Sequence, residues 1–198
     1  MAAAGIGMVV GRYYRQVLTE LLHEFSGSNP GKAALEARVS TLVDDGEYPW
    51  LAFTTDVARA SEQIAHSSLV AAGRRIVGAS KPEFERWGFD SAEAILTDLD
   101  APFGATIIDP PEHERMMTAK YEPGYALLCV GAVHPAGLVE GYLRGIVEMY
   151  GGTVSDLVCH AVQMEGHAMH LIELRWSTPV RVGTRTRVAS GPHIRRVA

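Results

Sequence analysis

The stretch that decides the fold runs from Tyr125 to Trp176 and reads YALLCVGAVHPAGLVEGYLRGIVEMYGGTVSDLVCHAVQMEGHAMHLIELRW. Its first part, residues 125–133, is rich in β-forming side chains and is bounded by Gly124 and Pro135. Such a run between breaking residues predicts a β-strand. The sheet of this protein is therefore expected to begin here.

A helix and a hairpin follow that strand. Residues 137–150 carry an apolar stripe at helical spacing and end at Gly151-Gly152, which predicts a helix. Residues 153–164 and 167–176 predict two strands joined at Glu165-Gly166. This order of strand, helix and hairpin predicts an antiparallel sheet with one helix inserted between two of its strands along the chain.

The preceding part of the chain is mainly helical by pattern. Helices are predicted at residues 11–25, 32–43, 50–64, 67–77 and 92–99. The Pro- and Gly-rich residues 101–111 predict an irregular connection with a short extended piece at 106–108, and residues 113–121 predict either a strand or a ragged helix. The fold class is α+β, with N-terminal helices packed on a C-terminal antiparallel sheet that has one inserted helix.

The length and composition restrict the class of protein. The 198 residues are 47% hydrophobic and 21% charged, which is typical of one globular domain, predicted at residues 1–180. The net charge of −5 argues against a nucleic-acid partner, and no apolar run is long enough to span a membrane. Two cysteines fit a reducing compartment, so a cytoplasmic location is expected.

Residues 181–198 form a basic C-terminal tail that contains five arginines and no acidic residue. A solvated terminus is the favoured interpretation. An electrostatic arm for an acidic partner is the alternative, and binding at low salt by a chain that lacks residues 184–198 would decide between them.

Three glycines recur at every fourth residue of the predicted helix: Gly137, Gly141 and Gly145. A glycine inside a helix costs about 1 kcal/mol relative to alanine, so close backbone approach is expected on this face. Helix packing is the simplest explanation. The partner could be the sheet, a second subunit or a ligand.

The predicted hairpin carries four side chains that are able to bind a metal: Cys159, His160, His167 and His170. With a two-residue turn, Met164 lies opposite His167 and Ala161 opposite His170. Cys159 and His170 then share one face of the sheet and His160 and His167 the other, because side chains alternate along a strand. One ion cannot bind all four in this register. The alternative is that these residues are core or surface side chains without a metal.

Aromatic side chains of the helical part, together with one of the inserted helix, are candidates for lining an apolar ligand pocket: Trp50, Phe53, Trp87, Phe103 and Tyr142. The same residues would equally suit a closed core. No nucleophile elbow, phosphate-binding loop or other complete catalytic motif is present in the sequence.

The segment AVHPAGLVEGY at residues 132–142, DLVC at 156–159 and Gly166-His167 resemble the 4-vinyl-reductase-like small-molecule-binding domains. In that family an acidic residue and three cysteines form a zinc site. The resemblance implies that Asp156 matches the acidic residue, that Cys159 matches one cysteine, and that His167 and His134 stand near the places of the others. It thus implies a zinc site at His134, Cys159 and His167, a small apolar ligand and a homodimer.

The layout also resembles the haem–nitric-oxide-binding (H-NOX) domains. Their Tyr-x-Ser-x-Arg motif is replaced here by residues 131–135, GAVHP. The family's proximal histidine is expected near residues 101–103, where no histidine occurs, and His113 is the nearest substitute. The resemblance therefore supports the fold and disfavours haem.

The leading hypothesis is a sensor or signalling module that binds a small apolar molecule between its helices and its sheet and signals through a separate protein. A structural zinc ion is an optional part of this hypothesis. The competing class is a biosynthetic or detoxifying enzyme with His113 or His134 as acid or base. A third class is an interaction scaffold with a closed core.

Overall fold

The computed structural model describes residues 7–27 and 30–178, so the predicted tail at 181–198 lies outside the described residues. The helices are α1 Gly11–His23, α2 Pro30–Thr41, α3 Trp50–Ser61, α4 His66–Arg86, α5 Ala92–Thr97, α6 Asp100–Gly104 and α7 Ala136–Met149. The strands are β1 Met8–Val10, β2 Glu47–Pro49, β3 Ile107–Ile108, β4 Met116–Glu122, β5 Tyr125–Gly131, β6 Thr153–Met164 and β7 His167–Ser177.

Two antiparallel sheets organise these elements. The larger sheet has the strand order β4-β5-β7-β6, and the smaller one has the order β2-β1-β3. Helix α7 is inserted between β5 and β6 and packs against α4 and the larger sheet. The predicted α+β class, with N-terminal helices on a C-terminal antiparallel sheet, is confirmed.

The hairpin of β6 and β7 has the predicted register. Met164 pairs with His167 and Ala161 pairs with His170. The turn residues Glu165 and Gly166 have φ values of 51° and 84°. Left-handed backbone at both positions suits a two-residue hairpin turn, whose twist matches that of the strands.

Helix α4 is longer than the sequence pattern indicates. It continues past Val77 to Arg86 and includes Pro82. Pro82 lies within the helix although proline lacks an N–H group and usually interrupts helices. Phe84 belongs to the last turn of α4.

The predicted irregular connection contains more structure than expected. Asp100–Gly104 forms α6, and the extended piece near residue 107 is β3. The ambiguous segment after His113 is the strand β4. Strands β1 and β2 have three residues each, which is too short for a period of two to be recognised.

Helix α2 is attached to the core mainly through one residue and one ion pair. Leu35 is its only buried residue. Arg38 Nε lies 2.9 Å from Asp56 Oδ2 of α3, and the same carboxylate accepts a hydrogen bond from the Tyr14 hydroxyl of α1. No described helix is long and apolar enough to cross a membrane.

The glycine ladder of α7 is the contact surface for α4. A Cβ atom on Gly141 would lie 2.4 Å from the carbonyl oxygen of Val70 and 2.8 Å from Gly73 Cα. Gly73 in turn faces the backbone of Leu138 and Gly141. The two helices therefore touch backbone to backbone, so the partner of the ladder is another helix of the same domain.

Candidate ligand-binding site

A cavity of about 90 Å³ lies among α1, α4 and α7. One water needs on the order of 10–15 Å³ on this measure, so the space is several times larger than a water. Residues from β1, α5, α6 and the start of β4 complete its wall. The interior of the domain is thus not filled with side chains.

The wall of this cavity is mostly apolar. Helix α4 contributes Ile76 and Val77, helix α7 contributes Val139, Leu143 and Ile146, and the remaining apolar contacts come from Val10, Phe84, Ile95, Leu99, Pro102, Phe103 and Met116. Most of these residues belong to the hydrophobic core. An apolar concave site with few polar groups is the usual form of a small-molecule pocket.

Two tyrosines supply polar groups inside this apolar wall. Tyr13 of α1 and Tyr142 of α7 line the cavity, and their hydroxyl groups interact with each other. Burial raises the pKa of Tyr13, and the hydrogen bond with Tyr142 opposes that rise in part. Burial also raises the pKa of Tyr142 well above its usual value, and the neighbouring Tyr13 raises it further. Both hydroxyls are therefore neutral near pH 7.

The solvent-facing side of the cavity is formed by polar and amphipathic side chains. Arg12 and Glu83 form an ion pair of 3.1 Å, and Trp87 is 38% exposed. All three line the cavity. A ligand could enter on this side, because the other walls consist of packed helices and strands.

The five predicted ligand-binding aromatics divide into two groups. Trp87, Phe103 and Tyr142 line the cavity. Trp50 and Phe53 are outside its wall and stack on each other with ring centroids 5.2 Å apart. Both are buried, and Phe53 also packs on Tyr14 at 5.1 Å, so these two residues join α3 to α1.

The three predicted zinc ligands are not brought together. His134 is buried, whereas Cys159 and His167 are exposed on the hairpin. No group of three His, Cys, Asp or Glu side chains among residues 7–27 and 30–178 is placed to hold a metal ion. The β6–β7 register explains this, because Cys159 and His167 are on opposite faces of the sheet.

His134 has a structural environment. Its ring lies 5.6 Å from both Trp50 and Phe103 between centroids, and Nε2 is 3.1 Å from the Glu114 carbonyl oxygen. Glu114 also accepts a hydrogen bond from the Trp50 indole. Burial lowers the pKa of His134 to about 4, although the bond to Glu114 acts in the opposite direction. A neutral imidazole thus ties residue 134 to the segment before β4.

His113, the other predicted acid or base, stacks on His167. The two rings are 3.7 Å apart between centroids and are inclined by 12°. Neither His113 nor His134 lines the cavity. His113, His134 and His167 therefore lie near one end of the larger sheet and outside the wall of the candidate pocket.

The position of the cavity differs from the predicted one. A ligand site was expected between the helices and the sheet, but most of the wall is helical and the larger sheet contributes only Met116. Sequence reasoning also missed the Arg12–Glu83 pair and the apolar side of α4. The spacing of Leu69, Ile76 and Val77 was a usable signal, although it is the same for core packing.

Two further recesses have polar walls. One of about 260 Å³ lies near Asp100, Asp109 and Arg115, and one of about 190 Å³ lies near Arg38, Asp56 and Arg59. Arg115 and Arg38 already pair with carboxylates in these recesses. Neither has the apolar interior of the first cavity.

Comparison with known proteins supports the fold. No protein-family model and no curated protein matches this sequence. Among solved structures, a Cs H-NOX mutant with an unnatural amino acid aligns with a TM-score of 0.62 and 10% identity, over 86% of this chain and 98% of that one. An H-NOX mutant of T. Tengcongensis aligns with a TM-score of 0.61 and 10% identity over the same shares. An oxygen-binding H-NOX domain related to soluble guanylate cyclases aligns at 0.59 and 9% identity, over 89% and 99%.

These similarities extend over most of the chain at low identity. The protein therefore has an H-NOX-like fold, as the layout of residues 125–176 predicted. At this level of identity the comparison defines the fold and leaves the ligand to be argued from the site.

Proposed function

We propose that this protein is a sensor module that binds one small, largely apolar molecule carrying a single polar group. The observation that carries the proposal is the cavity among α1, α4 and α7, in which the hydroxyls of Tyr13 and Tyr142 interact with each other within a mostly apolar wall. Buried polar groups that face an apolar space favour a ligand able to hydrogen-bond with them.

The polar group of the ligand is expected to accept or donate one hydrogen bond. When one tyrosine hydroxyl donates to the other, the second still has a proton to donate, since each hydroxyl has one donor and two acceptor positions. A phenol, alcohol or ketone meets this requirement. A carboxylate does not, because burying an unpaired charge is costly.

Haem, a cofactor of the H-NOX family to which the similar structures belong, does not fit this wall. Haem iron is usually held by a histidine, a cysteine thiolate or a tyrosinate. Among the residues that the structure describes, no histidine or cysteine lines the cavity, and the raised pKa values of Tyr13 and Tyr142 oppose formation of a tyrosinate. We therefore propose a ligand without a metal-bearing macrocycle.

The enzyme hypothesis has less support in the cavity, because His113 and His134 lie outside its wall, Tyr13 and Tyr142 are held neutral, and Glu83 is paired with Arg12 at the solvent-facing side. The zinc site predicted at His134, Cys159 and His167 has no support from their positions. We propose no metal for the function.

Native mass spectrometry of the full chain, purified without a His-tag, tests for a bound compound. Toluene and phenol are then compared as probes of similar size by their effect on thermal unfolding. A ligand that binds only the folded state stabilises it by about 2.7 kcal/mol at 100 times its Kd. We expect both probes to raise the melting temperature, and phenol to bind more tightly.

The variant Tyr142→Phe removes one hydroxyl from the cavity. We expect its affinity for phenol to fall about tenfold, equivalent to about 1.4 kcal/mol, and its affinity for toluene to stay within about twofold. Tyr121→Phe is the matched control, since Tyr121 packs on Trp176 outside the cavity. The absence of any bound compound and of stabilisation by either probe would contradict the proposal and favour a closed scaffold.

A further inference from the structure

Strand β6 is an edge strand of the larger sheet. Eleven of its twelve residues pair with β7, and no other described strand pairs with it. Its outer edge therefore presents a row of backbone N–H and C=O groups. Such an edge is a template for pairing with another strand, and natural proteins usually protect it.

The two edges of this sheet are protected to different degrees. The opposite edge strand, β4, carries the ion pair Lys120–Glu122 at 2.8 Å and a register irregularity in its middle, between Thr118 and Lys120. Charges and bulges of this kind discourage edge pairing. On β6, residues 157–164 contain no Asp, Glu, Lys, Arg or Pro, and the irregularity lies before them, between Val154 and Asp156.

The unprotected edge also exposes apolar side chains. Val158 and Met164 are 38% and 43% exposed, and both lie on the face of β6 that also carries Val162. On the neighbouring strand, Leu171 and Met169 pair with His160 and Val162. An added strand would remove part of this apolar surface from water.

We propose that two copies of this chain pair antiparallel through their β6 edges and form one continuous eight-stranded sheet. Antiparallel pairing of identical strands is self-complementary about a twofold axis. With the axis at Val158, Asp156 of each copy lies opposite His160 of the other. The only charged residue of β6 is thus placed beside an imidazole and away from Asp156 of the other copy. The absence of other charges from residues 157–164 leaves no like-charge contact to oppose the pairing.

This inference is independent of the cavity, because residues 153–164 do not line it. It assigns the expected homodimer a defined interface, which is the outer edge of β6 in both copies of the chain.

Sedimentation equilibrium of the full chain at pH 7, from roughly 1 to 200 µM, tests the proposal. We expect a monomer–dimer equilibrium in this range. Val158→Lys places two lysines at the twofold axis, and we expect it to weaken dimerisation about 100-fold or more. Val43→Lys is the matched control: Val43 is 62% exposed and lies far along the chain from β6, and this variant should dimerise like wild type. Circular dichroism checks that both variants are folded.

Crosslinking gives a readout that requires no change at the interface. Cys159 is exposed on β6, whereas Cys129 is buried in β5. A short bismaleimide should join wild-type chains and Cys129→Ser chains in pairs, but not Cys159→Ser chains. If the wild-type protein is monomeric at the highest concentration, the proposal is overturned. A dimer that neither crosslinks through Cys159 nor responds to Val158→Lys would overturn it equally.

Discussion

His134 is a buried histidine whose protonation is expected to destabilise the folded protein. It is 5% exposed and packs between Trp50 and Phe103, and its pKa falls to about 4 because burial disfavours the charged ring. The unfolded chain binds a proton at His134 near the ordinary pKa of about 6.5. Protonation therefore favours unfolding between these two values.

The pH dependence follows from that difference. The free energy of unfolding should be at its full value above pH 6.5 and should fall by about 3 kcal/mol as the pH decreases to 4, since one pKa unit corresponds to about 1.4 kcal/mol. Urea unfolding at several pH values measures this loss. His134→Gln keeps a donor for the Glu114 carbonyl and should remove most of the pH dependence in this range. Equal slopes for wild type and His134→Gln would contradict this assignment.

The sequence could suggest the chemistry of His134 but not its surroundings. Its place after a strand made it a candidate ligand for a metal, whereas its actual contacts come from Trp50, Phe103 and Glu114, which are distant in the sequence. The aromatics show the same limit. Trp87 and Phe103 line the cavity while Trp50 and Phe53 fill the core, and helical spacing is the same for both roles.

At the scale of elements, α4 and α7 are in direct backbone contact. Gly141→Ala would place a methyl group 2.4 Å from a backbone oxygen of α4, and backbone atoms cannot move aside easily. Overpacking of this kind costs about 1–3 kcal/mol, and we expect at least that loss in urea unfolding.

Gly78→Ala is the control for this prediction. Gly78 lies on α4, and nothing lies within 4 Å of the position of its added Cβ. Alanine there should stabilise the protein by about 0.5–1 kcal/mol, because glycine loses more conformational freedom in a helix. If both glycine variants changed stability in the same direction, close helix contact would not explain the ladder.

Helices and strands with a regular spacing of apolar residues were predictable from the sequence. Elements that depend on pairing between segments distant in the sequence were not. Strand β6 has the predicted bounds, and its two-residue turn fixed the register of the hairpin. The predicted end of α4 was wrong because the buried residues of this helix stop at Val77, whereas the helix itself continues to Arg86. The three-stranded sheet was not foreseen, since β1 pairs with β2 and β3 from segments about 40 and 100 residues away.

For the whole molecule, the order of helices and strands determined the fold class but not the location of the empty space. The cavity is lined mainly by side chains of α1, α4 and α7. The space left between packed helices depends on their crossing geometry, which periodicity does not report.

Two Leu→Phe substitutions test whether the interior is open beside α7 and closely packed beside the larger sheet. Leu143 of α7 lines the cavity, whereas Leu128 of β5 is fully buried and outside its wall. Leu143→Phe should extend into empty space and change the free energy of unfolding by between 0 and about +2 kcal/mol, as cavity-filling substitutions do. Leu128→Phe should lose about 1–3 kcal/mol because the sheet side is already packed. Urea unfolding measures both, and binding of toluene should be lost only in Leu143→Phe. Equal destabilisation by the two substitutions would mean that the space around Leu143 is closed in solution, and the proposed ligand site would then have no room for a guest.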